Sequence, residues 1–275
     1  GGQLTITTEV ENYPGFPEGV QGPELMELFK QQCARFGTKF VEFQPIATVD
    51  TSSRPFTLTT TSGDEYQAHS VILATGARAK LLGLEKESEL MGYGVSACAT
   101  CDGALFKDRE VVVVGGGDTA MEEATFLTRF CPKVTIVHRR DYYRASSIML
   151  DRARANSSVA WKEFRSVVDI HHDEKKQVTG VVLEDSRDGS QEDYPCQGMF
   201  VAIGHQPNTE FLGKEFLRDE VGYLQIEDGT RTSVEGVFAA GDVHDPAYRQ
   251  AVTAAGYGCA AALESQRWLE AEGLA

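Results

Sequence analysis

The sequence predicts an α/β fold built from two Rossmann-like, three-layer nucleotide-binding domains, one inserted in the other. Three observations carry this. The apolar stretch Val111–Val114 runs into a glycine turn, Gly115-Gly-Gly117-Asp118-Thr119-Ala120, and then a helix-forming run, which is the strand, turn and helix order of a dinucleotide unit. The apolar stretch Val71-Ile-Leu-Ala-Thr-Gly76 is echoed by Met199-Phe-Val-Ala-Ile-Gly204, each closing on glycine. Finally, Val237-Phe-Ala-Ala-Gly-Asp242 returns to the style of the first segment, so one domain is interrupted by the other. The expected boundaries are 1–82 and 207–275 for the interrupted domain and 83–206 for the inserted one.

A chain of 275 residues has room for two ordinary domains, and 41% hydrophobic with 24% charged residues is a globular composition. It holds no run of about 18 apolar residues, and no basic, apolar, small-residue signal segment opens it. The expectation is a cytoplasmic or organellar-stromal protein. With 26 basic and 41 acidic residues the net charge is −15, which repels phosphate backbones and anionic membranes. Neither nucleic acid nor membrane is an expected partner, and a local arginine cluster runs against the average.

In chain order, Gly1-Gly-Gln-Leu-Thr-Ile-Thr-Thr opens without a preceding element, so a truncated N-terminus is expected. Glu11–Pro17 is a proline- and glycine-punctuated loop, followed by a helix over Pro23–Phe36 with apolar residues Leu25, Leu28 and Phe29. Pro23 suits its first turn. Strand patterns follow at Phe40–Phe43, around Thr48, at Phe56–Thr60 and at Glu65–His69, with Ser62-Gly-Asp64 as a hairpin turn, and Val71–Ala77 is a buried strand. The charged linker Glu85–Glu89 marks the domain boundary. Beyond the glycine turn and its helix, Thr119–Arg129, the strand Val134–Val137 ends in His138-Arg139-Arg140, with Arg144 four residues on. At this strand end an acid accepts from a ribose 2′-hydroxyl, whereas arginines hold a 2′-phosphate, so the pattern favours NADPH over NADH. A helix at Ile148–Ala155, strands at Val167–Ile170 and Val178–Glu184, and a turn at Asp188-Gly-Ser190 complete the unit. His171 and His172 are expected exposed, and His205 to serve loop geometry. After Asp242, Arg249-Gln250-Ala251-Val252 opens a small-residue helix to about Leu269; an acid at a strand end beside a helix N-terminus suits a ribityl chain and pyrophosphate.

The chemistry is concentrated in Cys98-Ala-Thr-Cys101-Asp102-Gly103. Cysteines spaced by two residues can close a small disulfide and shuttle two electrons, the spacing letting one thiolate be stabilised by its neighbour. The same spacing serves structural and metal pairs, but zinc needs two further ligands and none is evident, so no metal is expected. Cys33, Cys131, Cys196 and Cys259 are expected to be small buried apolar residues. A dithiol beside a dinucleotide turn suggests electron transfer from a hydride donor.

The motifs Gly1-Gly-Gln-Leu, Glu11-Asn-Tyr-Pro-Gly15, Ala74-Thr-Gly-Ala77, Cys98–Gly103, Gly115–Ala120, His138–Ala145, Gly241-Asp242 and Arg249-Gln-Ala251 stand in one order along the chain. In these the sequence resembles the low-molecular-weight NADPH-dependent thioredoxin reductases, a flavoprotein family of the pyridine nucleotide-disulfide oxidoreductase group. The resemblance implies an NADPH domain inserted in a discontinuous FAD domain, and a homodimer. It implies hydride passing from NADPH to FAD, then to Cys98–Cys101 and on to thioredoxin. Cys101 would face the flavin, Cys98 would attack thioredoxin, and Asp102 would exchange the proton. Gln3, Asn12, Asp242, Arg249, Gln250 and Ala251 match flavin contacts. Gly115, Gly117, Asp118, Thr119, His138, Arg139, Arg140 and Arg144 match the NADPH site, the arginines at the 2′-phosphate. The family opens with a strand and glycine turn for the FAD pyrophosphate, upstream of the Gly-Gly-Gln-Leu motif. The rival readings are therefore a non-catalytic NADPH-binding fragment and a related flavoprotein reductase with another acceptor.

Overall fold

The computed structural model describes residues 2–5 and 9–274. Gly1, which opens the first motif, and the β-branched run Ile6–Thr8 lie outside the described residues. The helices are α1 (Gly22–Arg35), α2 (Ala99–Asp102), α3 (Asp118–Leu127), α4 (Ser147–Ala155) and α5 (Ala251–Ala271).

The inserted unit is organised on a five-stranded, all-parallel sheet. Its order is Val159–Glu163, Lys133–His138, Glu110–Val114, Met199–Val201, Val95–Ser96. Side chains alternate across a strand, so Val111 and Val113 join one core while Val112 and Val114 join another. The first core is covered by Ala120, Met121, Ala124 and Leu127 of α3 and Ala153 of α4. The second is covered by Val167, Ile170, Val181 and Leu183 of an antiparallel sheet, Arg165–His172, Val178–Asp185 and Gln191–Pro195. Coverage on both faces is why Val111–Val114 is continuously apolar rather than alternating.

The remaining residues build a separate core from the two ends of the chain. Val71–Leu73 pairs in parallel with Val237–Ala239, and Val49, Phe56, Leu73, Phe216 and Val237 pack together. The antiparallel strands Ile46–Asp50, Phe56–Thr60 and Glu65–Ala68 flank this core, and Phe238 and Ala240 pack on α5 through Ala261. The chain leaves and returns through one antiparallel pair, Ala77–Ala79 with His205–Pro207.

Several expectations are corrected. In α1, Leu25 and Phe29 pack with Val10 and Val20 while Leu28 is 41% exposed. Leu28 sits about 100° round the helix from Phe29 and falls off the buried stripe. Phe40–Phe43 forms no strand; Phe43 has φ 60° and is 99% exposed, and that left-handed backbone breaks extension. Cys131 and Cys196 are buried, but Cys33 and Cys259 are exposed. Cys33 lies where the end of α1 runs past the core, residues 31–43 being solvent-exposed throughout.

Candidate active site

Cys98 precedes the first residue of α2 and is disulfide-bonded to Cys101, with Cα atoms 5.4 Å apart, a spacing one helical turn supplies. Ser96, buried at the end of the edge strand, connects the bridge to Asp102. Its hydroxyl accepts the Cys98 N–H at 3.0 Å and donates to Asp102 Oδ2 at 2.6 Å. Burial pushes the Asp102 carboxyl above the ordinary carboxylate range, and the Ser96 hydrogen bond opposes part of that rise. Its Oδ1 is buried and has no hydrogen-bond partner among the described residues. Thr100 Oγ1 lies 3.4 Å from Cys98 Sγ, where a hydroxyl can donate to a thiolate. Elsewhere burial drives the Cys131 and Cys196 thiols up to about 11 and about 12, which leaves them inert at neutral pH.

The glycine turn assigns a separate task to each glycine. A Cβ on Gly115 would stand 2.3 Å from the Ala202 carbonyl oxygen and 2.8 Å from Ala120 Cβ, so Gly115 and Ala120 set the contact between strand and helix. A Cβ on Gly117 would meet nothing within 4 Å; the N-terminus of α3 is open in front of it. The loop after the second strand is sewn to this turn. Arg144 N–H donates to the Gly116 carbonyl at 2.8 Å, and Asp118 accepts the Ser146 N–H at 2.6 Å. His138 packs its ring over Gly116 and against Tyr143, and hydrogen-bonds the Tyr142 carbonyl. Burial foremost, with the charges of Arg139, Arg140 and Arg144, lowers the His138 pKa, and the Tyr142 carbonyl opposes part of that fall. Arg139, Arg140 and Arg144 are exposed, and none has a carboxylate partner among the described residues. Arg140 is hydrogen-bonded to the Tyr142 hydroxyl and stacked on its ring. Thr119 stands half-buried in the first turn of α3. An open helix N-terminus together with three guanidinium groups that lack a carboxylate partner among the described residues fits a dinucleotide bearing a 2′-phosphate.

The third group is drawn from opposite ends of the chain. Asn12 Nδ2 donates to Gln250 Oε1 at 2.8 Å, and Gln250 Nε2 donates to Thr100 Oγ1 at 3.2 Å, which places this group against α2 and the disulfide. Gln250 also caps α5 reciprocally with Thr253, and Ala251 is the first helical residue. Asp242 follows Gly241, whose φ of +74° turns the strand end toward α5. Burial and the neighbouring Asp245 raise the Asp242 carboxyl to about 6, with Arg249 pulling the other way. Arg249, at φ 50°, places its Nη1 3.0 Å from His205 Nδ1. Burial, then Arg249 and Lys80, hold His205 down to about 4, so its neutral imidazole accepts this bond. Gln3 stands apart, reaching the Ala77 carbonyl at 3.5 Å. A half-buried carboxylate at a glycine turn, next to an amide pair on the disulfide helix, fits the polyol and ring edge of a flavin.

Residues 1–258 match the pyridine nucleotide-disulphide oxidoreductase family. The chain belongs to that family. It is 53% identical over 274 residues to the thioredoxin reductase of Rickettsia conorii, covering 98% of this chain and 87% of that protein. It is 50% identical to the thioredoxin reductase of Mycolicibacterium smegmatis, covering 98% and 86%. Among solved structures it resembles the thioredoxin reductase of Giardia duodenalis, with TM-score 0.91 and 42% identity over 98% of this chain and 87% of that one. The Streptococcus pyogenes enzyme gives TM-score 0.91 at 37% identity, again over 98% and 87%. Thioredoxin reductases use FAD and NADPH, on two Rossmann-like domains. The fold also brings in polar residues to which sequence reading assigned no role: Ser96 and Thr100 at the disulfide, Tyr142 at the arginine loop, and Glu123 behind α2. Thr100 and Tyr142 lie within the cysteine and arginine motifs, but Ser96 and Glu123 are single side chains outside any motif, and only the fold brings them to the site.

Proposed function

We infer that the chain is an NADPH-dependent thioredoxin-disulfide reductase in which Cys98 and Cys101 carry the electrons. The observation that carries this is the closed Cys98–Cys101 bridge on α2, hydrogen-bonded through Thr100 to Gln250 and through Ser96 to the buried Asp102. The N-terminus of α3, Gly117 and the guanidinium groups of Arg139, Arg140 and Arg144 hold NADPH. Asn12, Asp242, Arg249, Gln250 and Ala251 hold the flavin end of FAD. Bound FAD supplies two-electron chemistry that takes hydride from NADPH and passes the electrons to a disulfide. Asp102 holds the proton that the opening bridge requires, burial raising its affinity for that proton above that of an ordinary carboxylate. Cys98 is the attacking thiol, because Thr100 stands beside its sulfur to support a thiolate; Cys101 faces the flavin. The acceptor is thioredoxin, and the working form is a cytoplasmic homodimer.

The test uses single-cysteine chains and a thioredoxin whose own resolving cysteine is replaced by serine and whose remaining cysteine is activated as a mixed disulfide with an aromatic thiol, which the attacking thiolate displaces. Cys101→Ser, which keeps Cys98, is expected to accumulate a mixed disulfide with it, while Cys98→Ser traps far less. The reverse pattern would exchange the two roles, and no adduct with either would reject thioredoxin as the acceptor.

A further inference from the structure

Glu123 lies on α3, and its carboxyl is turned into the contact between α3 and α2. The Ala99 N–H, one residue beyond Cys98, faces this carboxyl and opposes part of its pKa rise, and the Glu123 Oε2 is buried with no hydrogen-bond partner among the described residues. Asp102, at the other end of the same turn of α2, presents a second buried and unpartnered carboxyl oxygen, Oδ1. Two acids with one orphaned oxygen each therefore flank the redox bridge, one on each packed helix. An ionised carboxylate left in this way would bear its full desolvation cost, whereas a protonated acid carries its own donor for the second oxygen. Arg249, from the segment ahead of α5, is the cation that acts on Glu123; Asp102 and its helix neighbour Glu122 are the anions.

We propose that Glu123 is a proton store for the dithiol, protonated while the bridge is closed and exchanging its proton with the cysteines through Asp102. It is a positioning residue, acting behind Asp102, and the inference rests on the reductase function proposed above. When two electrons derived from NADPH enter the bridge, the S–S bond breaks, Cys101 leaves as a thiolate, and Cys98 takes a proton from Asp102. Glu123 makes good that proton through water admitted between the two unpartnered oxygens and becomes a carboxylate, which the Arg249 charge stabilises. When Cys98 later attacks the thioredoxin disulfide, its proton returns along the same route; a Cys98–thioredoxin disulfide forms, and the departing thioredoxin sulfur leaves as a thiolate that takes a proton from solvent. Burial pushes the Glu123 carboxyl up to about 8, close to an ordinary thiol, so proton exchange between the two is nearly balanced.

The deciding measurement is the infrared difference spectrum between the disulfide chain and the same chain reduced with a water-soluble phosphine, which needs neither FAD nor NADPH. The expected spectrum loses the carbonyl stretch of a protonated carboxylic acid on reduction, and this change is absent in Glu123→Gln. Glutamine keeps the acceptor for Ala99 N–H, so a purely structural role predicts that the substitution is silent. The pH dependence of Cys98 alkylation in the reduced chain gives a second readout, its midpoint shifting by about half a unit or more in Glu123→Gln. Absence of any acid band in the unsubstituted chain, or an alkylation profile indifferent to Glu123→Gln, would overturn the proposal. Reduction of thioredoxin is assayed separately, so failure of the reductase reading is distinguishable from failure of the proton store.

Discussion

Asp242 shows how a single side chain exchanges stability for binding. Its pKa of about 6 stands above the ordinary 3.8, so between about pH 4 and pH 6 the folded chain keeps a proton that the unfolded chain has released. Stability therefore falls as pH rises through that window. Asp242→Asn is expected to stabilise the cofactor-free chain by about 2 kcal/mol at pH 7 and hardly at all at pH 4, read by urea unfolding at both values. Equal gains at the two pH values would contradict the burial of a charge there. At the arginines, replacing Arg139 and Arg140 together by uncharged residues should raise the apparent constant for NADPH at least tenfold and leave NADH nearly unchanged, since charge-assisted contacts are worth about 1.5–3 kcal/mol. The steady-state comparison of the two nucleotides decides it. These arginines were legible because they oppose the acidic average of the chain. Glu123 was not: it follows Glu122, which is exposed, and only packing against α2 separates the buried acid from its solvated neighbour.

At the scale of elements, the glycine turn separates folding from binding within three residues. Gly115→Ala would drive a methyl group into the Ala202 carbonyl and is expected to cost about 2 kcal/mol or more of stability. Gly117→Ala meets only open space, so it should leave stability within about 0.5 kcal/mol of the parent and weaken NADPH binding instead. Thermal unfolding together with nucleotide titration of both variants would show the split; a loss of stability at Gly117 equal to that at Gly115 would refute it. The strand, turn and helix here were readable because both sheet faces are buried and the apolar run is unbroken. The strands Val159–Glu163 and Gln191–Pro195 escaped notice because each lies at a sheet edge. Gln191–Pro195 alternates exposed and half-buried positions and offers no apolar run. Phe40–Phe43 shows the opposite case, a strand-like composition with no partner strand and a left-handed residue at Phe43.

For the whole molecule, the return of Val237–Asp242 to the style of the first segment corresponds to strands that are neighbours in one sheet, Val71–Leu73 and Val237–Ala239, whereas the echoed stretch Met199–Gly204 lies in the five-stranded sheet. That much was legible because both stretches are apolar and end in the same way. The assembly of the site was not, since Asn12, Thr100 and Gln250 come from three distant segments and sequence spacing is silent about such contacts. The antiparallel link of Ala77–Ala79 with His205–Pro207 is short and only partly buried, so it left no pattern to read. The claim that joins these parts is that electrons from NADPH reach thioredoxin through Cys98 and Cys101. The most direct measurement is an anaerobic assay of the chain supplied with FAD, NADPH and oxidised thioredoxin, counting NADPH consumed against thioredoxin thiols formed. The expected result is equimolar consumption of NADPH and thioredoxin disulfide in the parent chain, and no thioredoxin reduction in Cys98→Ser or Cys101→Ser. NADPH consumption without thiol formation, or thioredoxin reduction persisting at the parent rate in either variant, would contradict it.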